Sequence, residues 1–367
     1  MTLKHERVVM SLHGIRTRGV WQKDLVPELA RAGFIPYALD YDNFGALKLL
    51  LSSSLDKQVE WLLGQYDTIV AETGCERPSV VAHSFGTLQV ARLIAQHKHV
   101  QFDKVILAAS IAKLDYPWVE ALDARRVHWV LNEFGGRDVW PRVAQRVVPN
   151  AGESGSSGFA ATHRALHQIY NEHHRHSDYF SKGNFSRHWV PTLLLDKRSM
   201  VDQLHGLIGI LKTKLGLPRE QLRAFVYVVT NSSTLKIVPG LSVGAASIRE
   251  LELAIPLDQA GPGAAPALAF KLMKEVGQGA QDLQLLAESF TGGSPIADGL
   301  QWAISMPIPD PKDAQVKSAC GVLTLDGFAA PTTLALADSE LSADPHVFNV
   351  LLSLGKALAV VPAGQWV

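Results

Sequence analysis

Cysteine is nearly missing: Cys75 and Cys320 are the only two in 367 residues. They lie far apart without metal-type spacing, which argues against a disulfide framework or a cysteine zinc site, and both are expected to be reduced. Net charge is missing too, because Lys plus Arg and Asp plus Glu each number 35. No global field therefore draws the chain to nucleic acid or an anionic membrane, and only a local patch could do so. No stretch reaches the roughly 18 uninterrupted apolar residues of a membrane span. The opening MTLKHERVVMSLHG has no apolar core behind a basic start, so a cytoplasmic location is the expectation. Neither a G-K-S/T P-loop nor a strand followed by G-x-G-x-x-G occurs, so the glycine-rich Gly261–Pro266 and Gly277–Gly279 read as loops, and no cofactor is expected.

What is present is ample core material, 47% hydrophobic against 19% charged residues, in a chain long enough for two domains. Arg7–Leu12 reads as a buried strand ending at His13-Gly14, and Trp21–Gly33 as a helix closed by its glycine. Further strands are expected at Ile35–Leu39, Pro78–Ala82, Lys104–Ala109 and Val127–Leu131, with helices at Ser54–Ala71 and Gly86–Ala95. Strands alternating with helices, several of them apolar throughout, point to a mostly parallel sheet covered on both faces, an α/β fold. Ligands in such sheets bind beyond the carboxyl ends of the strands, where His13, Ser84 and Asp138 are all expected.

The segment Pro78–Leu88, PSVVAHSFGTL, runs an apolar strand into a serine and straight out into a helix. It resembles the nucleophile elbow of the α/β-hydrolase superfamily, with LHGI at Leu12–Ile15 in the oxyanion-loop position and Ala82 replacing the first glycine of G-x-S-x-G. The resemblance covers residues 5 to about 198 and implies Ser84 as nucleophile, with the backbone N–H groups of Ile15 and Phe85 as the oxyanion hole. It also requires an acid and then a histidine later in the chain. Asp138, in a GGRDVWP loop after a strand, resembles the family's acid, with Asp115 as the alternative. The base falls among His163, His167, His173, His174, His176 and His188, six of the fourteen histidines. His176, which directly follows RALHQIYNEHHR and precedes the loop SDYFSKGN, is preferred over His174. Without HExxH or a partnering cysteine, this tract reads as solvated and not as a metal site. His13 and His83 read as packing or hydrogen-bonding residues. Arg16 and Arg18 follow the oxyanion loop, and Arg16 is a candidate for binding a substrate anion. Only a short segment separates Ser110 from Val127, so any lid is small, with Tyr116 and Trp118 as candidate walls of an acyl pocket.

Ser199–Leu215 reads as one helix with Val201, Leu204, Leu207, Ile208 and Leu211 on a single face, which either links the domains (as part of a linker, 199–218) or pairs with a copy of itself. Beyond it the pattern becomes α+β with an antiparallel sheet. A hairpin spans Ala224–Pro239, strands are expected at Arg249–Leu257, Gln301–Pro307 and Ser318–Leu325, and helices at Gly263–Glu275 and His346–Val360. This order resembles a GAF domain, a small-molecule-sensing and dimerisation module, over residues 219–363. The polar stretch Ser289–Asp298 would cover its pocket. The expectation is thus a serine hydrolase (1–198) for a small-molecule carboxylic ester or thioester, with lipid esters preferred. A C-terminal module (219–367) would take a small-molecule effector or form a homodimer. The alternative is a ligand-sensing scaffold with a weak or inactive hydrolase domain.

Overall fold

Branched and aromatic side chains fill the short apolar runs, and in the computed structural model these runs assemble into two separate sheets. The structure describes residues 7–14, 19–40, 52–230, 233–244, 246, 254–258, 265–272, 275–279, 281, 283, 299–313, 315, 318–329 and 341–361. The chain divides into two compact units, Met1–Leu193 and Leu194–Val367.

In the first unit β1 (Val8–Leu12), β2 (Ile35–Leu39), β3 (Ser79–His83), β4 (Phe102–Ala108), β5 (Val127–Gly135) and β6 (Leu166–Asn171) form a six-stranded sheet in the order β2-β1-β3-β4-β5-β6. Every pairing is parallel. All residues of β1 and β3 are buried, as strands covered on both faces must be. Helices α1 (Gln22–Arg31), α2 (Ser52–Thr73), α3 (Phe85–Gln96), α4 (Trp118–Asp123) and α5 (Trp140–Val147) connect them. The chain runs outward from β1 to β2 and then returns to place β3 on the other side of β1. That reversal opens a crevice beyond the carboxyl ends of β1 and β3.

The β3–α3 turn is tight enough to dictate sequence. A Cβ added at Gly86 would lie 2.7 Å from the Leu12 carbonyl oxygen and 3.0 Å from that of His13. Both are backbone atoms of the neighbouring strand end and cannot swing aside. Gly86→Ala is therefore expected to lower stability by about 2 kcal/mol, the scale of overpacking. A urea midpoint equal to wild type would show that the turn has slack.

In the second unit β7 (Leu222–Val229), β8 (Thr234–Val243), β9 (Ala254–Pro256), β10 (Val276–Gly279), β11 (Trp302–Pro309) and β12 (Ala319–Gly327) form a second six-stranded sheet, in the order β10-β11-β12-β7-β8-β9. Its pairings are antiparallel throughout. Inside it Arg223 and Asp326, opposite each other on β7 and β12, make a buried two-pronged pair at 2.7 and 2.8 Å. The guanidinium also lies over the Phe225 and Phe328 rings, so its charge is both paired and faced by aromatic quadrupoles. Helix α6 (Lys197–Leu215) is capped by the Asp196 carboxylate, which accepts from Ser199 N–H, and ends on Gly216 at φ 64°. Helices α7 (Ala265–Leu272) and α8 (Pro345–Leu358) complete the unit.

Three expectations change here. The apolar face of α6 does not await a second copy: Val201, Leu204, Leu207, Ile208 and Leu211 are buried, and the helix packs on β7, β8 and α8 of its own unit. Gly277–Gly279 is not loop but part of β10, whose backbone pairs with β11 although glycines supply no alternating pattern to read. The hairpin's return strand continues through Pro239 to Val243, with the register shift that a missing N–H invites falling between Phe225 and Tyr227. Ser289–Asp298 lies outside the described residues.

Candidate active site

Ser84 stands at the end of β3 with φ 51° and ψ −119°, a left-sided conformation that costs a non-glycine residue on the order of 1–3 kcal/mol. The strain follows from the sequence, because a fully buried strand must turn directly into a buried helix. Its backbone N–H donates to Ala108 O at 3.0 Å, pinning the turn to β4. The hydroxyl, aimed into the crevice, lies 2.9 Å from His176 Nε2. On the far side of that ring His176 Nδ1 lies 3.0 Å from each carboxylate oxygen of Asp138. The Asp138 side chain is fully buried, while that of His176 keeps 19% exposure. Trp140 N–H also donates to Asp138 Oδ1 at 3.1 Å. With the carboxylate accepting from Nδ1, the Nε2 lone pair faces the hydroxyl, the arrangement needed to take its proton.

The loop that carries His176 follows the edge strand β6 and is held from several sides. A Cβ at Gly135 would sit 2.4 Å from the His174 carbonyl oxygen, so only glycine lets the loop close down on β5. Asn184 Nδ2 donates both to buried Glu133 Oε2 at 2.8 Å and to Tyr179 O at 3.0 Å. Most directly, His83 Nε2–H donates to the His176 carbonyl at 2.8 Å. The His83 ring lies 4.8 Å from the His176 ring and edge-on to Phe180.

Burial, reinforced by the neighbouring His176 and His13, pushes His83 down to about 3, so it stays a neutral donor across the physiological range. The unfolded chain takes up a proton near 6.5 and the folded chain does not, so stability falls as pH drops from about 6.5 toward 3. The slope from this group approaches 1.4 kcal/mol per pH unit, on the order set by linkage. Urea unfolding of wild type and His83→Gln between pH 7 and 4 should show the flatter dependence in the variant. Parallel curves would mean that His83 is protonated in the fold.

Among the other candidates, His174 turns edge-on to Tyr179 at 5.1 Å instead of toward Ser84, and burial lowers its pKa. His163 Nε2 lies 3.3 Å from Asp123. Buried His13 spans Gly14 O at 2.7 Å and Asp40 Oδ1 at 3.0 Å. Asp115 is exposed on the wall of a separate hollow of about 460 Å³, together with Leu88, Arg92, Lys113 and Tyr116. Neither Ser84, Asp138 nor His176 lines it. Tyr116 donates its phenol to Ala91 O at 2.8 Å, and burial raises its pKa. Trp118 is a core residue, fully buried and edge-on to Phe159 at 5.6 Å, so it cannot wall an acyl pocket. Phe85 opens α3 directly behind Ser84. Ile15, Arg16 and Arg18 lie outside the described residues. Among the described residues no group of three or more His, Cys, Asp or Glu side chains is arranged to hold a metal ion, and no helix is long and apolar enough to cross a membrane.

Sequence reasoning passed over Trp140, Tyr179 and the Glu133–Asn184 contact. Only Trp140 carried a signal, two residues after the candidate acid.

A parallel sheet with a strained serine between strand and helix, and a histidine and carboxylate presented by later loops, defines the α/β-hydrolase fold. Within it, residues 4–177 match the family model Hydrolase_4, described as serine aminopeptidase, S33. No curated protein matches the sequence significantly. Similar solved structures include one described as a predicted CIB-like hydrolase from Thermoplasma acidophilum, at 19% identity over 50% of this chain and 83% of that chain, with a TM-score of 0.33. A cold-adapted esterase from an Arctic intertidal metagenomic library matches at 17% identity over 47% of this chain and 74% of its own, TM-score 0.31. A type II free methionine-R-sulfoxide reductase from Thermoplasma acidophilum matches at 14% identity over 46% of this chain and 97% of its own, TM-score 0.30.

Proposed function

We propose that the first unit is a serine hydrolase that cleaves a carboxylic ester or thioester through an acyl-enzyme. The observation that carries this is the unbroken relay from Ser84 Oγ through His176 to buried Asp138, with links of 2.9 and 3.0 Å. Ser84 Oγ attacks the carbonyl carbon while its proton passes to His176 Nε2. The imidazolium then returns that proton to the leaving alcohol or thiol as the tetrahedral intermediate collapses. Water, deprotonated by the same nitrogen, releases the acid and restores Ser84. The backbone N–H of Phe85, at the start of α3, and that of Ile15 would hold the oxyanion. Lipid esters are the preferred class.

The second unit is proposed to be a GAF-like small-molecule-sensing or dimerisation module. Its support is the element order, a hairpin β7–β8, then β9, α7, β10, β11, β12 and terminal α8 on an antiparallel sheet. An effector would regulate the first unit only by favouring one state of the intact chain over another.

The test uses the full chain with a fluorophosphonate label, p-nitrophenyl esters of increasing chain length, and an aminoacyl p-nitroanilide. Labelling and ester turnover that vanish in Ser84→Ala support the reading. Cleavage confined to the anilide would make the enzyme a peptidase. A wild type that neither labels nor turns over would leave the ligand-sensing scaffold as the better account.

A further inference from the structure

Helix α5 and the residue before it carry an apolar face that is solvent-exposed among the described residues. Val139, Trp140, Val143 and Val147 are 59%, 47%, 41% and 54% exposed, four of the nine large hydrophobic side chains exposed among the described residues. At about 100° per residue these four fall within one arc of the helix, while Pro141 and Val148 point inward and are buried. Scattered exposed valines need no explanation, but a continuous stripe on one short helix does. The stripe begins at the reaction centre: the Trp140 ring is centred 6.3 Å from that of His176, and the Trp140 backbone N–H donates to Asp138 Oδ1. Exposed Arg142 and Arg146 border the stripe along one side and exposed Arg137 stands just before it. Arg142 is partly answered by Glu153 at 3.3 Å.

We infer that this face docks the protein on an anionic lipid surface, so that the ester presented to Ser84 belongs to a lipid in that surface. The substrate half of this inference rests on the hydrolase reading above; the docking half does not. An apolar arc flanked by guanidinium groups is the pattern of an interfacial helix. The valines and the indole enter the acyl boundary, and the arginines reach the headgroup phosphates. The neutral overall charge is no obstacle, because screening confines the relevant field to charges within about 10 Å of the surface.

Flotation of the intact protein with vesicles of phosphatidylcholine, alone or mixed with phosphatidylglycerol, tests the docking. Wild type and Ser84→Ala should both float with the mixed vesicles, and Trp140 emission should shift to the blue, a shift that Trp140→Phe removes. Val143→Ser combined with Val147→Ser should lower partitioning by at least about tenfold, from the apolar area lost. Turnover of a soluble short-chain ester should be unchanged in that pair. Arg142→Gln and Arg146→Gln should each cost roughly fivefold, and added salt should mimic them. Docking is overturned if wild type stays with the soluble fraction, or if the double valine variant floats as wild type does. It is equally overturned if that variant instead breaks a dimer seen in sedimentation, which would assign the face to a second copy. If Ser84→Ala and wild type both float but neither lipid nor soluble ester is cleaved, the hydrolase reading fails while the docking surface stands.

Discussion

Ser84→Ala is expected to reduce kcat for ester hydrolysis by about 10⁴–10⁶-fold, with His176→Ala falling as far and the double variant hardly further, because groups that act as one unit are not additive. Ser84→Gly should lose activity to the same extent and yet be more stable than either Ser84→Ala or wild type. The reason is the backbone: at φ 51° and ψ −119° a side chain is strained, and alanine retains that strain while glycine does not. The gain should be about 1–2 kcal/mol, read as a higher urea midpoint at unchanged slope. A glycine variant no more stable than the alanine variant would remove the claim that the fold stores strain at this turn. An alanine variant with more than a tenth of wild-type kcat would remove Ser84 from the chemistry.

Asp138→Asn is expected to lower kcat by about 10⁴-fold with KM changed little. The carboxylate accepts from Nδ1–H and so keeps the Nε2 lone pair toward Ser84. An amide can instead offer its NH₂ to Nδ1, which would leave Nε2 protonated and facing the hydroxyl, the tautomer unable to accept a proton. The Trp140 N–H bond survives the substitution through the amide oxygen, so circular dichroism and melting should stay close to wild type. Asp115→Asn is the matched control, because Asp115 sits exposed on a separate hollow and should leave kcat unchanged. If the two variants exchange behaviour, the acid has been misassigned.

Local signals carried the first unit a long way. Apolar runs ending in His13-Gly14 and His83-Ser84 marked the strand ends at the crevice, because a strand buried on both faces leaves a continuous hydrophobic record. The second unit was legible for its hairpin and terminal helix, where the periods are clean. It failed at β10, because Gly277 and Gly279 pair through the backbone alone. The face of α6 was legible as apolar, but its partner was not, since a stripe of leucines records only that it is buried.

The sequence by itself determined the elbow at Ser84. A strand, a serine and a small residue within a few positions mark the turn in the sequence, and the Leu12 and His13 carbonyls at the end of the neighbouring strand are what require the glycine at Gly86. Tertiary structure alone decided which histidine meets the serine. His174 and His176 are two residues apart in a loop without periodicity, and they are told apart by where that loop is anchored. The Gly135 approach, the Asn184 bridge and the His83 hydrogen bond to the His176 carbonyl fix the ring 2.9 Å from a hydroxyl 92 positions earlier. The same long-range packing placed Trp118 in the core and left Trp140 exposed beside the site. Two tryptophans with similar neighbours in sequence were separated by which helix face the sheet covers.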